Sequence, residues 1–472
     1  MSKANASKID GPKNILKSRD DHDPTYFRSV GKDQFRLAED SKCSWNRPGE
    51  TFRTDKLRQR IEPWLTALFQ SEHLSLLIGS GLTHSIHLMA AGSKLPGMEE
   101  VTFSTFQSQI HDAAKSCAER ADRETPNIED QIRVANELLV GLSHYCPPEA
   151  ALPDSAKLKK DIHQLERDIA RTLGDFAKSI LDAERGILSA SKREDAFSYL
   201  VSFLMSPASR SGTRDRLHMF TTNYDRLIEA GAEVAGLHLI DRFVGNLASV
   251  FRSSRLNIDM HYDPPGIRGE PRHLEGVVRF TKLHGSVDWV NASRDIRRIG
   301  LPFGAVSIDP FFGSPGLKGI GPLNLMIYPN SAKDRETTAY PYVDLFRDFA
   351  AAVCRPNHAL VTYGYSFGDE HINRVIEDML TIPSTHLIII AYSDPMGRIM
   401  KTFQRVSRQA QTTLLIGNHL GDLKVMVDHY LPKPAIDRTT FRMAELLKSR
   451  FGIEQAQQTD EEQSSGGEGD ES

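Results

Sequence analysis

The sequence predicts an α/β fold: a parallel β-sheet with helices on both faces, interrupted by a helical insertion. Three observations predict it. Short apolar runs of strand length recur along the chain, among them SLLI (75–78), HALVTYGYSF (358–367) and HLIIIAYSD (386–394). Between them lie segments whose apolar residues repeat at three- and four-residue spacing, and strands that alternate with helices argue for a parallel sheet. Finally, a stretch from about 100 to 212 is helical in pattern almost throughout and divides the first strand from the others.

Residues 1–53 are polar and show little periodicity, and are expected to form a flexible arm. DKLRQRIEPWLTALFQ (55–70) sets Leu57, Ile61, Trp64, Leu65 and Leu68 on one helical face. SLLI follows as a buried strand ending at Gly79-Ser80-Gly81, after which a helix opens. IEDQIRVANELLVGL (128–142) and the long run 158–188 are the main helices of the insertion. RLHMFTTNYD (216–225) is a strand running into a polar turn, with a helix after it. VVRFTKLHGSVDWV (277–290) reads as strand, turn, strand. Residues 291–340 are rich in Gly, Pro and Ser and are expected to be a long, mobile, substrate-facing loop. A helix over 340–354, strands at 358–367 and 386–394 and a last strand, TTLLIG (412–417), complete a catalytic domain expected over 54–430. A C-terminal helix and an acidic, disordered tail are expected over 431–472.

The 472 residues are 39% hydrophobic and 25% charged, with a formal net charge of −4, which suits a globular protein and gives no support to a dedicated nucleic-acid surface. The four cysteines Cys43, Cys117, Cys146 and Cys354 form no C-x-x-C pair, so no zinc ribbon can be written from them. The opening MSKANASKIDGPKN lacks the apolar core of a secretion signal, and no apolar run is long enough to span a bilayer, so a cytoplasmic location is expected.

Four constellations carry chemistry. In LLIGSGLTHS (76–85) a glycine turn opens a helix, where backbone N–H groups can meet a diphosphate. The same turn also occurs with nothing bound, and no Gly-Lys-Ser/Thr follows to make it a P-loop. TTNYD (221–225) sets Asn223 and Asp225 in a strand-end turn facing a ligand crevice, although Asp225 alone also reads as a helix cap. KLHGSVDW (282–289) places His284 before a glycine at a strand end, as a general base or as a structural histidine. YGYSFGDEHINRVIEDML (363–380) presents Gly364 and Ser366 at another strand end, with Asp369 placed to cap the helix beyond.

The order of these pieces resembles the sirtuin family. GSGLT is similar to the Gly-Ala-Gly-(Ile/Val)-Ser loop, TTNYD to Thr-Gln-Asn-(Ile/Val)-Asp, LHGS to the segment holding the catalytic histidine, and GYS to Gly-Thr-Ser, over residues 70–425. Two departures matter: the Pro-Asp-Phe-Arg motif and the four zinc cysteines of sirtuin deacylases are missing. The resemblance therefore implies a Rossmann-like sheet whose helical insertion stands in place of the zinc domain, with no zinc. GYSFGDEHIN and PNIEDQI (126–132) look like the bacterial sirtuin-like NADases of anti-phage defence, some of which assemble with a HerA-type hexameric ATPase. By this resemblance NAD is the substrate and is cut to nicotinamide and ADP-ribose, the protein is a homo-oligomer, and its partner is such an ATPase. Gly79, Ser80, Gly81 and Thr83 would cradle the diphosphate. Asn223 would position the attacking water, Asp225 would hold the carboxamide or fix the turn, and His284 would act as base. Gly364, Ser366 and Phe367 would line the adenosine half. Glu129 is a further pocket candidate, or else only a first-turn acid on its helix. Other readings stay open: a silent NAD or ADP-ribose sensor, a protein deacylase, or a nuclease subunit.

Overall fold

In a computed structural model of the chain, the described residues are 13–433, apart from 40, 94, 96–99, 121–122, 124, 148–154, 211–213, 262–273, 293–294, 315, 328–339 and 395. The chain divides into two compact units, Met1–Leu431 and Pro432–Ser472. The helix and acidic tail expected over 431–472 lie outside the described residues from 434 onward.

The described chain opens on four strands: β1 (Asn14–Lys17), β2 (Thr25–Gly31), β3 (Gln34–Leu37) and β4 (Thr51–Phe52). This corrects the expectation of a flexible arm over 1–53, of which residues 1–12 lie outside the described residues. The physical reason is aromatic. Phe27 lies 5.4 Å from both Phe35 and Phe52, and Trp45 lies 5.2 Å from Phe52, all edge to face. The segments are too short and too charged to show this periodicity clearly, although QFRL does alternate exposed and buried.

Helix α1 (Thr54–Phe69) leads to β5 (His73–Ile78) and α2 (Ser80–Ala91). The insertion follows as α3 (Gln107–Arg120), α4 (Ile128–Tyr145), α5 (Ser155–Ser189) and α6 (Arg193–Ala208). The sheet resumes with β6 (Leu217–Thr221), α7 (Leu227–Val234) and β7 (His238–Ile240). Strands β8 (Phe243–Val244), β9 (Ala248–Phe251), β10 (Val277–Lys282), β11 (Trp289–Ala292) and β12 (Asp295–Ile299) come next. The chain then runs through α8 (Tyr342–Val353), β13 (His358–Tyr363), α9 (Glu370–Met379), β14 (His386–Ala391), α10 (Arg398–Val406) and β15 (Thr412–Ile416).

Among the described residues the main sheet has eleven strands in the order β4-β3-β2-β1-β15-β14-β13-β5-β6-β10-β7. From β15 to β7 every pairing is parallel, and the β1–β4 meander is joined antiparallel to β15. β6, β13 and β15 are buried along their whole length, as strands covered on both faces must be. From β5 the chain winds one way through β6, β7 and β10. It then returns to the other flank of β5 and winds outward through β13, β14 and β15. The reversal falls between β5 and β13, and ligands of open α/β sheets bind at such a reversal, outside the strands' carboxyl ends.

The loop expected over 291–340 is corrected in part. β11 and β12 form a hairpin inside a second, antiparallel sheet of order β11-β12-β9-β8. Residues 300–314 and 316–327 are irregular with short 3-10 turns, and 315 and 328–339 lie outside the described residues. Among the described residues no helix is long and apolar enough to cross a membrane.

A buried ion pair adds to the apolar packing that fastens the insertion to the sheet. Glu184 on α5 is 2% exposed and Arg226, the residue after Asp225, is 5% exposed. The Arg226 backbone N–H donates to Glu184 Oε1 at 2.9 Å, its Nε donates to the same oxygen at 3.1 Å, and its Nη2 donates to Oε2. Gly304 N–H also donates to Glu184 Oε2 at 3.1 Å, and the guanidinium donates to Leu301 O and Pro302 O. Burial pushes the Glu184 carboxyl upward against the opposing bonds from Arg226. Burial also works against the Arg226 charge, but the bonds to Glu184 outweigh it and hold the guanidinium above its ordinary value. Glu184→Ala leaves that guanidinium buried without its acid and should cost about 3–5 kcal/mol, whereas Glu184→Leu combined with Arg226→Leu should cost less. Urea unfolding followed by tryptophan fluorescence measures both, and a Glu184→Ala protein as stable as its parent would remove this pair from the fold's supports.

Candidate active site

The two flanks of the switch point touch backbone to backbone. Gly79 N–H donates to Tyr363 O at 3.0 Å, and Gly81 N–H donates to Gly364 O at 3.1 Å. A Cβ on Gly79 would stand 2.4 Å from Gly364 O, and one on Gly81 would stand 2.6 Å from Gly364 Cα. Gly364 itself has φ +60°, a left-handed conformation that glycine adopts without penalty. The three glycines are therefore required by the contact of the β5 turn with the β13 turn, whatever else the turn binds. The N-terminus of α2, with Ser80 in its first turn, opens at the same place and carries the positive end of the helix dipole.

Asn223 comes off the carboxyl end of β6 and is buried. Its Nδ2 donates to Gly79 O and to Thr83 Oγ1, both at 3.1 Å. Thr83 Oγ1 donates in turn to Asp225 Oδ2 at 2.8 Å, and Asp225 Oδ1 accepts from Leu227 N at 3.0 Å. Three residues singled out in the sequence thus form one chain, Asn223 to Thr83 to Asp225. Both amide protons of Asn223 are used inside it, which leaves the carbonyl Oδ1 as the acceptor that this side chain offers to another group. Asp225 fixes the turn and starts α7.

His284 follows β10 by two residues. Its Nε2 lies 2.8 Å from Asp369 Oδ2. Asp369 Oδ1 meanwhile accepts from the N–H groups of His371 and Ile372 and caps α9. One carboxylate therefore both starts a helix and holds an imidazole from the other half of the sheet. The ring of Tyr224, next to Asn223, lies 6.4 Å from the His284 ring. Gly285 has φ +93°, and a Cβ there would meet Met326 O at 2.1 Å, so the His-Gly pair is fixed by packing.

The remaining sequence candidates take different places. Ser366 is exposed on the turn after β13. Phe367 has φ +54° and buries its ring against Tyr365, 4.9 Å away, so only its backbone faces that turn. Glu129 stands half-buried in the first turn of α4, between Ile128 and the Asp130 that closes a capping box with Asn127. Ile128 shares an apolar cluster with Tyr224. All four cysteines are free thiols, and among the described residues no group of three or more His, Cys, Asp and Glu side chains is placed to hold a metal ion.

The residue whose role sequence reasoning missed is Asp369. Its signal was present, since a cap uses one carboxylate oxygen and leaves another, but nothing local points to a histidine 85 positions away. Gly81→Ala and Gly364→Ala each force the two turns apart. Each should destabilise the protein by about 1–3 kcal/mol, the usual cost of overpacking. Thermal unfolding beside Gly141→Ala, a glycine of α4 with open space around it and no left-handed backbone, reads the difference, and equal midpoints would refute the close-approach argument.

The family model described as SIR2-like domain matches residues 217–414. No curated protein matches the chain. The matched stretch takes in the Asn223 turn, His284, the Gly364 turn and Asp369, and begins after the β5 turn and the insertion. Over that stretch the chain is similar to SIR2-like domains, which use NAD.

Proposed function

We propose that the protein hydrolyses the bond between nicotinamide and ribose in NAD. The observation that carries this reading is the placement of the Asn223–Thr83–Asp225 chain at the carboxyl end of β6 and of the His284–Asp369 pair at the carboxyl ends of β10 and β13, around the switch point, with the rings of Tyr224 and His284 6.4 Å apart. In the reaction the C1′–N1 bond breaks and N1 keeps the electron pair, so a cationic pyridinium leaves as neutral nicotinamide. Water supplies the new C1′–O bond and loses one proton, and the other product is ADP-ribose. The leaving group needs no acid. The protein's task is to orient the ribose and admit one water to a carbon of oxocarbenium character.

Each residue has a part in this reading. Asn223 Oδ1 accepts from the attacking water. His284, oriented by Asp369, faces the ribose hydroxyls and takes up the proton. Ser80 and the N-terminus of α2 meet the diphosphate, and the Gly364–Ser366 turn flanks the adenosine half. Glu129 is a weaker candidate for the same pocket. Hydrolysis is favoured over deacylation because the chain lacks the zinc cysteines and the Pro-Asp-Phe-Arg motif.

We propose further that this activity serves anti-phage defence in a homo-oligomer assembled with a HerA-type ATPase. The wording of GYSFGDEHIN and PNIEDQI supports that reading. The test is NAD consumption by the purified protein, alone and with such an ATPase, followed by chromatography of the products. Wild-type protein should release nicotinamide and ADP-ribose. Asn223→Ala and His284→Ala should abolish turnover while leaving the fold intact by circular dichroism. Asp369→Asn should lower kcat by about 10²–10⁴, the range that general acid–base groups contribute. NAD bound but never cleaved would favour the sensor reading.

A further inference from the structure

Lys282 is the last residue of β10, two positions before His284, and is only 2% exposed. None of the chemistry above uses it. Its Nζ donates to the main-chain carbonyl of Asp225 and, at 3.0 Å, to Glu229 Oε1 in the first turn of α7. One ammonium thus ties the end of β10 to the Asn223 turn and to the helix that the turn opens. The other charges of the small cavity beside it are already matched: Arg298 pairs with Asp241, and Arg242 pairs with Asp348. Glu229 is the acid left for Lys282. Burial pushes its carboxyl upward, and the Lys282 charge opposes the shift.

A buried ion pair is a poor way to gain stability, because both charges lose their hydration and an apolar side chain of similar length fills the same space. An apolar side chain cannot donate to a carbonyl and a carboxylate at once, and that is what this ammonium does. We infer that Lys282 is a positioning residue for the hydrolysis proposed above, on which the inference rests: its ammonium fixes the Asp225 carbonyl, and so the Asn223 turn, relative to His284. The Gly79–Gly81 and Gly364 contacts do not involve it. Binding of the adenosine half therefore persists without the ammonium, while the reacting end loses its alignment. A misplacement of about 1 Å there costs on the order of 10²-fold in rate.

Lys282→Met keeps the length of the side chain and removes the charge. In NAD hydrolysis its kcat should fall by about 10²-fold while KM stays within about threefold of wild type. Amide exchange of residues 223–226 and 285–287 should quicken, while that of Gly81 and Gly364 stays unchanged. An unchanged kcat, a fall in kcat matched by an equal rise in KM, or unaltered exchange at 223–226 overturns the positioning role. Should Lys282→Met fail to fold, Glu229→Gln removes the acid partner alone. It should show the same separation of kcat from KM with a smaller loss, and its absence there overturns the role equally. Wild-type protein that never consumes NAD overturns the hydrolase reading, and the exchange data still judge the role of Lys282 in holding the turn.

Discussion

The contact of Gly79 and Gly81 with Gly364 is the constraint from which the site follows. Two strand-end turns meet there across the point where the sheet reverses its winding, with a virtual Cβ on either side closer than 3 Å to backbone. The closeness brings Gly79 O within reach of Asn223, and so draws the β6 turn to the β5 turn. Thr83, one turn into α2, then links Asn223 to Asp225. Side chains at this contact would separate the strand ends, and the polar chain that depends on their spacing would not close.

Around that centre, the helical insertion acts as a wall for the site. α5 places Phe176 edge to face with Tyr224, at 5.9 Å, and its Glu184 grips Arg226. Leu165, Leu173 and Leu181 share one apolar cluster with Tyr224 and with Val287 from the turn after β10. The insertion is thus continuous, in packing terms, with both turns that carry the polar site residues. Its loss would take the Glu184 carboxylate from Arg226 and the Phe176 ring from Tyr224, so the insertion is structurally part of the site even though it contributes none of the His, Asn or Asp groups.

Much of this was legible in the sequence because the parallel strands are buried on both faces and so read as plain apolar runs bounded by turn residues. The Asn223, His284 and Gly364 turns were found for that reason. Three things were not legible, each for a physical cause. The β1–β4 meander is made of short strands held by a cluster of aromatic rings from residues far apart, which leaves little local period. The β11–β12 hairpin sits in a stretch whose glycines and prolines mark turns on either side of it. The third is the pairing of His284 with Asp369, a contact between halves of the sheet that no spacing encodes.

The placement of Asp369 also says something about how such a site is held in register. The imidazole belongs to the β10 side of the switch point, while its carboxylate partner belongs to the β13 side and is fixed by the first turn of α9. Tyr365 reinforces this, donating to Asp369 O at 3.3 Å and to Asn373 Oδ1 at 3.1 Å from a buried position. The histidine is therefore oriented by a group whose position is set by helix capping, a rigid local motif. The two halves of the sheet are joined along the β5–β13 ladder, and beyond its carboxyl end they are linked again through backbone at Gly81 and Gly364 and through side chains at His284 and Asp369. Any movement that displaces the turn after β10 from the turn after β13 breaks the His284–Asp369 bond, so a site opened in that way also loses the orientation of its base.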